Sequence, residues 1–144
     1  MAGGKANTFD NDLLKLIFNA SAISNIADNA ATSPLTVLYV ALHTADPGTG
    51  GSQTTSEAAY SGYARVSVAR TSGGWTVSGS SVSPAANIVF GAWVSGSETE
   101  TYWSVGTASS GAGKILYRGP ITPSIVMGAG VTPTLTTASA ITEA

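Results

Sequence analysis

His43 is the one histidine in the chain, and Asp46 follows it three residues later. With 37 serines and threonines available, the two supply the base and acid of a Ser-His-Asp site. Such a site needs its nucleophile presented on a sharp turn, and no Gly-x-Ser-x-Gly elbow occurs. His43 is therefore read as a structural residue that satisfies backbone groups at the end of an apolar strand. Gly113-Lys114 has the ending of a phosphate loop, yet Ala108 stands where the first glycine belongs and Ile115 where Ser or Thr is required. Gly111-Ala112-Gly113 and Gly128-Ala129-Gly130 both lack the third glycine of a dinucleotide fingerprint and are read as turns. Asp10 and Asp12, two apart on a helix, point away from each other and suit the positive end of a helix dipole. Glu98 and Glu100 would share a face of an extended segment, which offers a weak site for a hard cation. The preferred reading of that pair is a solvated acidic rim. With no cysteine there is no thiolate ligand, thiol nucleophile or disulfide. No catalytic, cofactor-binding or metal-binding residue is assigned, and the expectation is a protein that is not an enzyme and carries no cofactor.

The aromatic residues offer a different chemistry. Trp75, Trp93 and Trp103, with Tyr39, Tyr60, Tyr63, Tyr102 and Tyr117, are types that stack on sugars, and the same types anchor cores and protein interfaces. Trp103, within a strand, is assigned to the core. Trp93, in the turn-rich 91–96 segment, is assigned to an interface.

Composition narrows the class. The 144 residues contain six Lys or Arg and eight Asp or Glu, a net charge of −2. That charged fraction of 10% compares with roughly 25% in ordinary soluble domains, so the surface must be built from Ser, Thr, Gly and Ala. Six scattered cations form no stripe that could neutralise a run of phosphates, which argues against nucleic-acid binding. The longest apolar run, 35–42, is broken by Thr36 and falls far short of the roughly 20 residues of a membrane helix. The N-terminus lacks the apolar stretch of a secretory signal, so synthesis in the cytoplasm is expected and the Asn19-Ala20-Ser21 sequon carries no weight. A weakly charged surface on a 43% apolar chain points to life in an assembly.

The elements that must position these residues fall into two kinds. Phe9, Leu13, Leu16, Ile17 and Ala20 recur at spacings of three and four, which predicts a helix over about 9–19, capped by Asn7 or Thr8. A second short turn is expected in 23–28, before Ser33-Pro34. Beyond it come short runs rich in Val, Ile, Thr and aromatics, separated by Gly, Ser and Pro. They predict strands at 35–42, 63–70, 74–78, 86–90, 101–105, 114–118, 122–127 and 132–137. In 63–68 alternation sets Ala64, Val66 and Val68 on one face, with Tyr63, Arg65 and Ser67 on the other. The expected fold is mainly β: a jelly-roll-type antiparallel sandwich of about eight strands with an N-terminal amphipathic helix. Residues 1–33 form the arm and 34–144 the sandwich of a single domain. The aperiodic 43–62 segment, with its Asp46-Pro47-Gly48 turn signal, is a candidate contact arm.

Several segments carry a resemblance: Leu13-Leu14-Lys15-Leu16-Ile17-Phe18; Leu38-Tyr39-Val40-Ala41-Leu42-His43-Thr44-Ala45-Asp46-Pro47-Gly48; Tyr60-Ser61-Gly62-Tyr63-Ala64-Arg65-Val66. Arg70 with Gly74-Trp75, Asn87-Ile88-Val89-Phe90 and Ile115-Leu116-Tyr117-Arg118-Gly119 follow. In this order the chain resembles a family of small tailed-bacteriophage virion proteins, capsid cement or decoration proteins that also bear the looser label of tail-fibre proteins. The resemblance spans nearly the whole chain and is most specific at 42–48. It implies a jelly-roll protein on the outer capsid surface that clamps neighbouring major capsid subunits against the pressure of packaged DNA.

The expected partners are the major capsid protein and further copies of the chain, a twofold dimer first and a trimer next, with no nucleic acid and no membrane. Contacts are assigned to the helix face (Phe9, Leu13, Leu16, Ile17), to the long loop (Asp46, Pro47, Gln53, Glu57, Tyr60) and to Trp93. The alternative is a tail-associated module that binds a host-surface glycan or receptor.

Overall fold

The computed structural model describes residues 4–30 and 32–143. Residues 1–3 and 31 of the expected arm lie outside them. The elements are α1 (Asn7–Asn19), β1 (Val37–His43), β2 (Val66–Ala69), β3 (Trp75–Ser78), β4 (Ser81–Pro84), β5 (Ile88–Val89), β6 (Thr99–Gly106), β7 (Ile115–Val126), β8 (Thr134–Leu135) and β9 (Ile141–Thr142). The fold is mainly β with one N-terminal helix, in sheets ordered β2-β1-β6-β7, β3-β4-β9 and β5-β8. The chain divides into two compact units: Met1–Val37, Val68–Asn87 and Thr136–Ala144 form the first, Leu38–Ser67 and Ile88–Leu135 the second.

In the first unit, β3 and β4 form a hairpin through Gly79-Ser80, where Gly79 takes a φ of 58° that its missing Cβ permits. β9 pairs antiparallel with β4. The helix packs on this hairpin through Leu14 and Phe18, both fully buried, and Phe18 meets Trp75 edge-on at 4.8 Å. Its polar side chains join in. Asn11 Nδ2 donates to Gly79 O (2.7 Å), Asn19 Nδ2 to Trp75 O (3.0 Å) and Ser80 Oγ to Asp10 Oδ2 (3.2 Å).

The buried residues of the helix are thus Asp10, Leu14 and Phe18, and the stripe of Phe9, Leu13, Leu16 and Ile17 is left exposed or half-buried. An aromatic and a leucine four apart fit the Trp75 surface, and the flanking amides tie that rotation in place. Neither Asn7 nor Thr8 caps the helix. It starts one or two residues earlier than expected, so the N-cap is Ala6, without a side-chain bond. The short turn expected in 23–28 is present, with Ile23 bridged to Ala27.

In the second unit, β1 lies between two strands and is buried on both faces, hence its near-continuous apolar sequence. Its residues Tyr39 to His43 pair with Gly106 to Tyr102 of β6. The strands expected at 114–118 and 122–127 are one 12-residue strand. Pro120 and Pro123 do not end it because β7 is the outer strand, where a missing N–H costs no ladder bond. The register slips instead: Glu100 pairs with Ile125 but Tyr102 with Pro120, so five residues of β7 span two of β6.

β4 and β9 escape the strand signature, being short and rich in Ser and Thr. The 63–65 stretch precedes β2, and its alternation is inverted there: Ala64 is exposed while Tyr63 and Arg65 turn inward.

Candidate functional site

The helix presents the first candidate surface. Phe9 is 40% exposed, and Leu13, Leu16 and Ile17 are half-buried, so the apolar stripe beside the packed face is only partly covered by the described residues. Ile26 and Leu35, 74% and 41% exposed, extend this apolar character along the arm. Arg70 holds the far end of the helix. Its guanidinium donates to Ile17 O (2.8 Å), Leu16 O (2.9 Å) and Leu35 O (2.6 Å), a cation at carbonyls left unpaired at the helix C-terminus.

The long loop of the second unit is pinned inward. Gln53 has no exposed surface: its Oε1 accepts from Ala108 N (2.9 Å), and its backbone N donates to Gly113 O (2.9 Å). A Cβ on Gly113 would lie 2.1 Å from Gln53 Oε1, so glycine makes the room for that plug. Glu57 takes a bidentate grip from Arg65 (2.6 and 2.8 Å) and a hydrogen bond from the Tyr63 hydroxyl (2.9 Å). Arg65 also donates to Ala108 O and Gly111 O, tying loop to turn. The Glu57 hydrogen bond raises the Arg65 pKa, and burial drives the Tyr63 phenol far above its usual range.

Tyr60 is 3% exposed, its hydroxyl donating to Gly91 O (2.7 Å), and burial pushes its pKa up to about 12. Pro47 is buried as well, while Asp46 closes its turn onto Gly48 N (2.9 Å) and pairs with Arg118 at 3.3 Å. Of the loop residues expected to make contacts, Asp46 alone is exposed. A cavity of about 240 Å³ opens beside it, between Gly48 to Gly51 and Ile115 to Arg118.

The second candidate surface is the crossing of residues 59–62 with 91–98. Backbones touch there: a Cβ on Gly91 would fall 1.8 Å from Gly62 O. Ser61 N donates to Ser95 O and Val94 N to Ser61 O, both at 2.9 Å. Trp93 is half-buried with its indole N–H on Gly96 O (2.9 Å), and Val94 beside it is 65% exposed. Glu98 clamps the crossing, Oε1 accepting from Ala59 N (2.8 Å) and Tyr60 N (2.7 Å).

Glu100 is fully buried with neither carboxyl oxygen hydrogen-bonded, which overturns the solvated-rim reading for that residue. β6 begins two residues earlier than the sequence indicates and turns Glu100 inward. Burial, then the neighbouring Glu98, pushes its pKa up to about 8. Among the described residues no group of three or more His, Cys, Asp or Glu is placed to hold a metal ion.

His43 has no exposed surface; Nδ1 lies 2.9 Å from Thr55 O and Nε2 2.8 Å from Ser104 Oγ. A carbonyl only accepts, so Nδ1 carries the proton and Ser104 donates to Nε2. Burial lowers the pKa and favours this neutral form. Ser104 is itself wholly buried, so this Ser-His pair presents no hydroxyl to a substrate.

A uniform antiparallel fold, two apolar surfaces and buried polar posts describe a structural chain. Residues 5–142 match the model of the family described as podophage GP4 fiber I protein gp80, and the chain belongs to that family. This is a family of phage structural proteins. No curated protein matches the chain.

Proposed function

We propose that this chain is a non-enzymatic virion protein that decorates the outer capsid surface and bridges major capsid subunits, stabilising the shell against internal DNA pressure. The observation that carries the reading is the helix, anchored by one face to its own hairpin while Phe9, Leu13 and Leu16 stay half-exposed on the other. An apolar face held rigid at its far end by Arg70 is prepared to bind without further ordering cost. Many such small contacts over a lattice add up by multivalency, and self-association as a dimer would double the reach of each unit. The weakly charged surface, 14 ionisable acids and bases in 144 residues counting Lys, Arg, Asp and Glu, fits a life spent covered.

A second reading has its own support: the matched family is described as a fiber protein, and Trp93 with Val94 gives an apolar loop suited to a host surface. Reconstruction of the particle separates the two. Density bridging capsomers at regular lattice positions is expected; density confined to the tail overturns the cement reading. Particles assembled with L13D/L16D chain should lose this density while the isolated variant keeps its β spectrum.

A further inference from the structure

We infer that Glu100 keeps its proton in the folded chain, and that this proton keeps the crossing of residues 59–62 with 91–98 latched. Glu100 has no exposed surface, and among the described residues no N–H or O–H donor reaches either oxygen, its one polar neighbour being the Glu98 carboxyl, a state that favours the neutral carboxyl. Glu98, two residues earlier, is the neighbouring carboxyl that acts on Glu100, and two backbone N–H groups converge on its Oε1 at 2.8 and 2.7 Å. Two carboxyl groups so placed lose their second proton only at the cost of bringing two charges into one dry site.

The other groups around Glu100 offer no relief. Its register partner on β7 is Ile125, and the loop beside it contributes the Tyr60 phenol, its pKa raised by burial first and then by Glu100 and Glu98. No Lys or Arg figures among the groups that act on Glu100 in the described structure. Among the described residues no third His, Cys, Asp or Glu joins the pair to hold a metal ion.

Ionisation of Glu100 repels the carboxylate that clamps Ala59 and Tyr60, and those residues carry the crossing through Ser61–Ser95 and Tyr60–Gly91. The folded group has its pKa raised from 4.5 to about 8. The sign follows. The native state holds one proton more than the unfolded chain across that window, so the stabilisation is complete below 4.5 and lost as pH rises towards 8. Above it the native state survives with the latch ionised and the crossing loosened.

The test is a carbon-13 titration of the glutamate side-chain carboxyls in the wild-type chain, paired with amide exchange at Ala59 and Tyr60. One carboxyl titrating near pH 8 is expected, together with protection factors at those two amides that fall at least tenfold between pH 7 and 9.5 after correction for the intrinsic rate. E100Q, an uncharged isostere, should hold its protection across the same range. Every glutamate titrating between 4 and 5, or equal loss of protection in wild type and E100Q, overturns the proposal. The readout needs no virion, so its failure is distinct from failure of the capsid reading.

Discussion

Arg70 Nε lies 2.8 Å from the carbonyl oxygen of Ile17, 53 residues away in the chain. The last turn of α1 contains no basic residue, so the cation that its carbonyls favour is supplied from the end of β2. Two further bonds from the same guanidinium, to Leu16 and Leu35, tie the helix end to the arm's return. Hydrogen bonds to charged groups are worth about 1.5–3 kcal/mol each, though bonds from one group do not add fully. Arg70→Met should cost about 2–3 kcal/mol in urea unfolding, and Arg70→Lys should recover only part, having no fork to span three carbonyls. Equal stability of Arg70→Met and wild type would remove the residue from this role.

The two sides of α1 should answer differently to mutation. Leu14→Ala empties a fully buried site and should cost about 2–5 kcal/mol. Phe9→Ser, at a 40% exposed position, should stay within about 0.5 kcal/mol in the isolated chain. Thermal unfolding of both variants checks this, and the reverse order would make Phe9 rather than Leu14 the packed side chain.

Ala20 ends the helix with φ 54° and ψ 29°, in the left-handed region that glycine adopts without strain. Ala20→Gly should therefore raise stability by up to about 1 kcal/mol, read as an increase in the urea midpoint. A fall in the midpoint would show that the loss of chain entropy in the unfolded state outweighs the strain relieved.

His43 gives a pH dependence opposite in sign to that of Glu100. Its folded pKa lies below the ordinary 6.5, so the unfolded chain binds a proton that the native state refuses. Stability from this residue is complete above 6.5 and is lost as pH falls below that value. His43→Gln, which does not titrate, should lack this acid-side decline; the difference in urea midpoint between wild type and variant should shrink from pH 7.5 to pH 5. A constant difference would mean that His43 titrates alike folded and unfolded.

Gly113→Ala should destabilise the second unit by more than about 2 kcal/mol, because the new methyl would meet Gln53 Oε1 at 2.1 Å in a plug with no exposed surface. Shortening the partner to make Gln53→Ala/Gly113→Ala should recover part of the loss. Calorimetry of the single and double variants measures that coupling directly.

Period and punctuation made much of this fold legible. β1, β3 and β6 announce themselves through Val, Leu, Tyr and Trp, and the turns at 46–48, 111–113 and 128–130 through Gly and Pro. What stayed hidden was set by partners distant in sequence. The helix rotation depends on Trp75 and Gly79, which periodicity over 9–20 does not sense, so Leu14 and Phe18 were not singled out as the packed residues. β7 reads as two strands because Pro120 and Pro123 look like breaks until its outer place in the sheet is known. Glu100 reads as a surface residue by type; only the early start of β6 turns it in. Gln53, Glu57 and Tyr60 looked like the exposed points of a contact arm, whereas each is spent internally, on Ala108, Arg65 and Gly91. The 93–94 segment and the Phe9 stripe, in contrast, keep exposed or half-buried surface.

The outer strand of the larger sheet has a consequence for crowding. A regular 12-residue rim is a template on which a second chain can add its own strand, and then a third, without end. Pro120 and Pro123 remove ladder donors from β7, and the slip of five residues against two bends it away from a straight edge. At this rim a neighbouring copy therefore finds an interrupted row of donors on which to add a strand.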